Sequence, residues 1–261
     1  MTLALDERQR AMLAEIGVRV FLPAAPNAGR AETVQPAAPR IAAVAAPVAR
    51  VEPVRRTEPA PPRPDTRAAV LQLRPAGIEA MDWDALRSAV AGCHACKLCN
   101  GRTQTVFGVG DVNPQVMVVG EAPGENEDLQ GEPFVGAAGK LLDQLLRGIG
   151  LSRGDVFITN ILKCRPPGNR NPEPDEVAQC EPFLRRQVAL AQPRVILAMG
   201  RFAVQSLLGT TEAIGRLRGR LHDYNGVPVV VTYHPAYLLR NLPEKAKAWA
   251  DLCLARELLQ S

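Results

Sequence analysis

Residues 116–124 read VMVVGEAPG, an apolar run that ends in a glycine, an acidic residue and a Pro-Gly pair. A short apolar run bounded by turn residues is typical of a strand buried on both faces of a sheet. Three similar runs follow along the chain: VFITN at 156–160, VILAMG at 195–200 and VPVVVTY at 227–233. Their repetition predicts one sheet with four strands.

Helical patterns separate these runs, at residues 137–149, 174–191, 202–208 and 243–259. Strands that alternate with helices favour a parallel sheet covered by helices on both faces. We therefore predict an α/β fold, a three-layer α/β/α domain at residues 79–261 around a mainly parallel, four-stranded sheet. Ligands bind such sheets at the carboxyl ends of the strands. The residues that the sequence places there are Gly120, Glu121, Asn160 and His234.

The residues before this domain have a different composition. Ten of the 23 prolines lie between Pro23 and Pro64, and residues 23–78 show no sustained period of 2 or 3.6. We predict a disordered linker there. Residues 1–22 could form a short amphipathic helix, either a leader without a role or a docking peptide. Its ending, IGVRVFL, resembles the terminal peptide of the bacterial clamp-loader psi subunit, which implies a partner in the replication machinery.

The net charge, the apolar runs and the number of cysteines narrow the class of protein. The net charge of +4 permits a polyanionic partner without demanding one. Charged residues interrupt the N-terminus before any signal-peptide core, and no stretch approaches the roughly 20 apolar residues of a membrane span. We predict a cytoplasmic monomer with no membrane association. In that compartment six cysteines are more typical of ligands, catalysts or buried thiols than of disulfides.

The cysteine spacing predicts a candidate metal site. Cys93, Cys96 and Cys99 form a C-x2-C-x2-C run, Cys164 follows the second strand, and fifteen residues separate Cys164 from Cys180. A ferredoxin run would continue with x3-C-P, and a zinc ribbon would need a second C-x2-C pair; this chain has neither. The spacing alone leaves three readings open: a 4Fe–4S cluster, structural zinc, or merely buried thiols.

Several segments resemble, in order, the motifs of the family 4 uracil-DNA glycosylases. These segments are GEAPGENED at 120–128, GEPFVGAAG at 131–139, TNILKCRPP at 159–167, Asn169-Arg170, and HPAYLLR at 234–240. The likeness runs from about Leu86 to the C-terminus. It implies a DNA-repair enzyme that flips uracil out of single- or double-stranded DNA and hydrolyses its N-glycosidic bond.

The resemblance also implies a cofactor, a 4Fe–4S cluster held by Cys93, Cys96, Cys164 and Cys180. Cys99 lies outside the family's ligand pattern. In this family the cluster is structural, and here it would tie the front of the domain to the loop that carries Arg165 and Arg170.

The motifs suggest a role for each pocket residue. Phe134 suits stacking on the uracil face, although a Phe is often simply a core residue. Asn160 can both donate and accept, as pairing with uracil O4 and N3–H requires; the alternative is a capping Asn. A fixed imidazole of His234 would stabilise the negative charge that develops on uracil O2 as the bond breaks.

The first motif departs from the best-known glycosylases of the superfamily, which place Asp after Gln to serve the attacking water. Here Ala122 follows Glu121. Glu121 could position the water or the sugar, with the backbone of Gly120 to Ala122 lining the pocket, or it could act only structurally. We therefore expect the chemistry to rely more on leaving-group stabilisation than on a general base.

Basic and apolar residues near the motifs are candidates for gripping DNA. Of Lys163, Arg165, Arg170 and the run Arg216-x-Arg218-x-Arg220, we expect Arg165 and Arg170 to contact phosphate, since they flank the predicted site. Leu239 and Arg240 follow His234 and could wedge into the base stack, or they could simply begin an amphipathic helix.

Two rival functions follow from the same residues. Ala122 is consistent with a catalytically weak binding module, because related domains occur fused to phage-type DNA polymerases. Cluster-based electron transfer is the other rival, but the sequence shows no site for a partner reductase. A sister branch of the family traps DNA covalently through a His in an inserted loop; residues 167–172, PGNRNP, contain none.

Overall fold

A computed structural model of the chain describes Met12 and residues 75–260. Most of the predicted docking peptide at 1–22 and of the linker at 23–78 lies outside the described residues. Met12 is helical, and its side chain packs against an apolar cluster that includes Leu252 of the C-terminal helix.

Six strands form one sheet in the described residues. In chain order they are β1 (Val109–Gly110), β2 (Val116–Gly120), β3 (Val156–Asn160), β4 (Val195–Met199), β5 (Leu221–Tyr224) and β6 (Val227–Thr232). The spatial order is β1-β3-β2-β4-β6-β5. The four central strands are parallel, as predicted, while β1 and β5 add antiparallel edges. These edges were not predicted because β1 has two residues and β5, LHDY, is largely polar.

Eight α-helices accompany the sheet in residues 75–260. They are α1 (Trp83–Ala91), α2 (Glu125–Gln130), α3 (Ala137–Gly148), α4 (Pro174–Ala191), α5 (Arg201–Leu208), α6 (Ile214–Leu217), α7 (Pro235–Arg240) and α8 (Lys245–Gln260). Short 3-10 turns lie at Ile78–Ala80, Lys97–Asn100, Pro167–Asn169 and Leu242–Glu244. None of these helices is long and apolar enough to cross a membrane.

The strands bury both faces, which confirms the three-layer architecture. Alternate residues of β2 point to opposite sides: Met117 and Val119 join one apolar cluster, and Val116 and Val118 join the other. Helices α1, α4 and α5 contribute buried residues to the first cluster, and α3, α7 and α8 to the second. Burial on both faces explains why these strands are continuous apolar runs rather than alternating ones.

The carboxyl ends of the central strands meet at one edge. Gly120 of β2 is the direct register partner of Asn160 of β3. On the other side of β2, β4 runs into Gly200, and β6 runs through Thr232 to His234. The sheet therefore brings together the polar residues that the sequence places at its strand ends.

Candidate functional site

A cleft of about 770 Å³ opens at this edge of the sheet. Its size lies within the range of small-molecule sites and leaves room for a flipped-out base. Seven of the predicted site residues line it: Glu121, Ala122, Phe134, Asn160, Arg170, His234 and Arg240. The side chains of Arg165 and Leu239 do not line the cleft, and Gly120 lies directly behind it.

Gly120 makes room for two of the pocket side chains. A Cβ at this position would lie 2.4 Å from Asn160 Oδ1 and 2.6 Å from Phe134 Cζ. Asn160 is 2 % exposed, and its side-chain amide has no hydrogen-bonding partner among the described residues. The amide therefore caps no element, and its donor and acceptor are free for a ligand at the floor of the cleft.

Phe134 is held in an unusual backbone conformation. Its φ of 56° is rare for an aromatic residue, and the carbonyl is packed so closely on α3 that a Cβ at Gly139 would lie 1.6 Å from Phe134 O. Arg153, which pairs with Asp143 at 3.0 Å, also donates to the carbonyls of Phe134 and Pro133. These contacts fix the ring at the cleft wall, where it stacks on His234 with ring centroids 5.4 Å apart.

The surroundings of His234 determine both its charge and its tautomer. The backbone N–H of Ala236 donates to Nδ1 at 3.1 Å, so the proton of the neutral ring lies on Nε2. Burial, aided by the positive charge of Arg240, lowers the pKa of His234 to about 4. At neutral pH the ring is therefore uncharged and presents an Nε2–H donor.

Glu121 is held by the start of α5. Its Oε1 accepts a hydrogen bond from the backbone N–H of Phe202 at 2.9 Å. Gly200 is necessary for this contact, since a Cβ there would lie 2.6 Å from the same oxygen. Burial raises the pKa of Glu121, and the N–H of Phe202 and the charge of Arg201 partly offset that rise. The carboxyl group lines the cleft but is fixed by the protein itself.

Glu127 is a site residue that the sequence analysis missed. Its Oε1 accepts from the N–H groups of Val135 and Gly136, at 2.9 and 3.2 Å, and its Oε2 accepts from Gly124 N–H at 3.0 Å. The side chain thus joins the first motif to the loop that carries Phe134. The motif contains four acids within eight residues, and no pattern in the sequence distinguishes the one that makes these three hydrogen bonds.

The basic residues of the central motif are mostly engaged within the protein. Lys163, a candidate phosphate contact, is 1 % exposed and cannot reach DNA. Arg170 forms a bidentate ion pair with the buried Glu176, at 2.6 and 2.9 Å. Arg165 donates to Asn169 Oδ1 at 2.8 Å and lies 3.8 Å from Glu125. The contacts of Arg165 and Arg170 within the protein therefore stabilise the loop that carries them.

Two arginines of the Arg216-x-Arg218-x-Arg220 run also lie close to acidic side chains of the protein. Arg218 pairs with the buried Asp251 at 2.7 Å, and Arg220 lies 3.7 Å from Glu212. The exposed cations that line the cleft are instead Arg201 and the predicted Arg240. Arg201 was missed because a single arginine at a helix start carries no distinctive sequence signal.

Leu239 lies on α7 between Tyr237 and Arg240, two residues that line the cleft. It is 41 % exposed, and Tyr237 and Leu242 beside it are also exposed apolar residues. Leu238, between them, is fully buried and anchors the helix. An exposed leucine on an anchored helix suits insertion into a base stack. The same pattern of one buried and one exposed leucine also fits the alternative prediction, a simple amphipathic helix.

Five cysteines line a second, small cavity at the edge of α4. They are the four predicted ligands Cys93, Cys96, Cys164 and Cys180, together with Cys99. No group of three or more His, Cys, Asp or Glu side chains in residues 75–260 converges closely enough to hold a metal ion. Cysteine sulfurs that line one cavity are a donor set that both iron–sulfur clusters and structural zinc use.

Two basic residues donate hydrogen bonds to these cysteines, one from its side chain and one from its backbone. Arg102 donates to Cys164 Sγ at 3.0 Å, and the backbone N–H of Lys163 donates to Cys180 Sγ at 3.3 Å. Burial raises the pKa of Cys164 to about 11 and that of Cys180 to about 12. Thiols in such surroundings ionise when a cationic metal core binds them, and hydrogen bonds to the sulfurs then stabilise the thiolates.

Known proteins are similar to this chain in sequence. Residues 107–253 match the model of the family described as the uracil DNA glycosylase superfamily. The chain is 44 % identical over 187 residues to a protein of Saccharolobus solfataricus named type-4 uracil-DNA glycosylase, covering 68 % of this chain and 87 % of that protein. It is 47 % identical to a type-4 uracil-DNA glycosylase of Thermotoga maritima, covering 58 % of this chain and 80 % of that protein.

The similarity is lower for the type-5 branch. A type-5 uracil-DNA glycosylase of Pyrobaculum aerophilum is 37 % identical, over 49 % of this chain and 64 % of that protein. The chain therefore belongs to the uracil DNA glycosylase superfamily, and within it to the type-4 uracil-DNA glycosylases.

Proposed function

We propose that this protein flips uracil out of DNA and hydrolyses the N-glycosidic bond, the first step of base excision repair. The observation that carries the proposal is the pairing, in one cleft, of a neutral Nε2–H donor on His234 with the unpartnered amide of Asn160. An extruded base needs both a polar edge that reads it and a donor that stabilises it as it leaves.

Asn160 and Phe134 recognise the base in this proposal. The Asn160 amide accepts from uracil N3–H and donates to O4, whereas cytosine presents the opposite pattern on this edge. In the orientation that reads uracil, the amide would leave the matching groups of cytosine unpaired, which costs free energy in a buried site. The Phe134 ring stacks on the base, and Gly120 leaves the space that both side chains occupy.

His234 supports bond cleavage. As the bond between N1 and the deoxyribose breaks, negative charge moves onto the base, and the Nε2–H donates to O2 where that charge develops. Because the ring is neutral and held by Ala236, it needs neither a proton from solvent nor a change of orientation. Glu121 positions the water or the sugar, because Phe202 N–H holds its carboxylate at the start of α5. It takes the place of the Asp that the best-known glycosylases have where this chain has Ala122.

We propose that Cys93, Cys96, Cys164 and Cys180 hold a 4Fe–4S cluster. When bound, the cluster supplies a covalent link between the segment before β1 and the loop and helix after β3. That link supports the loop containing Arg165 and Arg170, which flanks the cleft. Cys99 faces the same cavity without belonging to the proposed ligand set.

The DNA backbone is gripped by the exposed cations Arg201 and Arg240, with Arg165 and Arg170 at the loop beside them. Leu239 fills the gap that the extruded base leaves in the stack. A monomeric state, a cytoplasmic location, the domain limits at 23 and 79, and a replication partner for residues 1–22 stay predictions of the sequence.

The test uses the cluster-loaded protein and an oligonucleotide with one uracil, followed by alkaline cleavage of abasic sites. Strand breakage at the uracil is expected in single- and double-stranded substrates. Intact strands after incubation with a brown, folded preparation would reject the enzyme and favour a binding module.

A substitution tests the assignment of Asn160. Asn160→Asp should gain some activity on cytosine or lose excision altogether, since the change removes a donor from the base-reading edge. Unchanged uracil excision by this variant would remove Asn160 from the pocket.

A further inference from the structure

Lys163 is a buried ammonium whose hydrogen bonds are all to neutral groups. Its Nζ donates to Thr159 Oγ1 at 2.6 Å, to Gln187 Oε1 at 2.7 Å and to the backbone carbonyl of Asn160 at 2.7 Å. These three bonds use all three donors of an ammonium group. Lys163 is 1 % exposed, and no carboxylate in residues 75–260 pairs with it.

Burying a charge without a counter-charge costs free energy. A negative group near Lys163 is therefore expected to offset its charge. Lys163 lines the cysteine cavity and lies next to Cys164 in sequence. Its backbone N–H donates to Cys180 Sγ at 3.3 Å. Four thiolates carry more negative charge than an iron–sulfur core carries positive charge, so a bound cluster supplies the missing counter-charge.

The same ammonium group also contacts β3, the strand that ends in the uracil pocket. The carbonyl that accepts from Nζ belongs to Asn160, the residue whose amide forms the proposed base-reading edge. Thr159 and Gln187 complete the support, since both also bond to the carbonyl of Phe107. Lys163 is therefore a direct physical connection between the cysteine cavity and the end of β3.

We infer that Lys163 is a positioning residue that couples the cluster to base recognition: its ammonium neutralises the thiolate-ligated cluster and holds the backbone of Asn160 in register with Gly120. The cluster then stabilises the pocket through this charge, as well as through its covalent link to the loop. This inference rests on the proposed cluster and on the proposed uracil excision.

Lys163→Met tests both halves of the inference, with the exposed Lys140→Met as the matched control. Removing a positive charge next to the cluster disfavours its more negative, reduced form, so the reduction potential should fall. The loss of support for Asn160 should lower kcat/KM for uracil excision by about 10- to 100-fold, as is usual for residues that orient a site from behind. Lys140→Met should change neither quantity.

Arg102→Met separates charge from positioning. Arg102 donates to Cys164 Sγ but makes no contact with Asn160. Its removal should therefore also lower the reduction potential while costing less excision activity than Lys163→Met. Equal losses of activity in both variants would show that cluster charge alone matters and would overturn the positioning role.

A measurement on the unaltered protein covers the case in which Lys163→Met does not fold. With 15N-labelled lysine, one slowly exchanging ammonium signal should shift when the cluster is reduced. Rapid exchange of all lysine ammonium groups, with no such signal, would overturn the inference. Excision that is absent in the unaltered protein contradicts the proposed function instead, so the two failures are distinguishable.

Discussion

The chemistry assigned to His234 predicts an unusual pH profile for uracil excision. An ordinary histidine has a pKa near 6.5, and burial lowers that of His234 to about 4. The neutral ring is the form that donates from Nε2 while accepting from Ala236 N–H. Activity that depends on it should be retained as the pH falls through 6.5 and should be lost only as the pH approaches 4.

The magnitude follows from these two pKa values. Lowering a pKa from 6.5 to about 4 corresponds to about 3 kcal/mol in favour of the neutral ring. At pH 7 roughly one ring in a thousand carries a proton. His234→Asn removes the aligned donor; removing one such donor costs about 3–4 kcal/mol, or a 10²- to 10³-fold loss in kcat. The loss should appear mainly in kcat, because the charge on O2 develops only in the transition state.

The assay is single-turnover excision from a uracil oligonucleotide between pH 4 and pH 9, with the unaltered protein, His234→Asn and His222→Asn. His222 bonds to Leu217 O, away from the cleft, so its variant should behave like the unaltered protein. Activity that falls as the pH rises through 6.5 would show that an imidazolium is required and would refute the neutral-donor mechanism. A tenfold or smaller effect of His234→Asn would refute its role in stabilising the leaving group.

Three further substitutions test the supports of the pocket. Gly120→Ala should lose about 10²-fold in excision, because its Cβ would lie 2.4 Å from Asn160 Oδ1 and 2.6 Å from Phe134 Cζ and would displace both side chains. Gly154→Ala, whose nearest contact is 3.7 Å away, is the control. Glu127→Gln should lower the free energy of unfolding by about 1–3 kcal/mol in urea titrations, because its amide must oppose a backbone N–H; an unchanged midpoint would contradict this. Cys180→Ser should abolish or weaken the visible iron–sulfur absorption, and its full retention would remove Cys180 from the ligand set.

The central sheet could be predicted because its residues obey a local rule. Val116 to Val119 are all fully buried, so an uninterrupted apolar run was sufficient to identify the strand. The strand-end residues Gly120, Asn160 and His234 followed from the same rule, since parallel strands place their carboxyl ends together. The edge strand β5 could not be found in this way, because LHDY is exposed on one side and pairs with β6 through a turn at Asn225 and Gly226.

The roles of the charged residues could not be predicted, because they depend on contacts between distant parts of the chain. Lys163 and Arg170 are adjacent to the same motif and look equally available in the sequence. One is enclosed by Thr159, Asn160 and Gln187, and the other is paired with Glu176. Whether a cation faces DNA or the core is decided by the neighbouring helix α4, whose side chains supply both Glu176 and Gln187.

The acidic first motif poses an electrostatic problem that the structure resolves. DNA phosphates and a departing uracil are both negative, yet four acids lie between residues 121 and 128. Glu121 is held by Phe202 N–H, Glu127 by three backbone N–H groups, and Asp128 by Thr103 N–H. The remaining Glu125 is exposed and lies 3.8 Å from Arg165. Backbone dipoles thus offset the charges nearest the cleft, and Ala122 adds no further carboxylate. A pocket arranged in this way stabilises an anionic leaving group more readily than it activates a water molecule, which is why the largest loss is expected at His234.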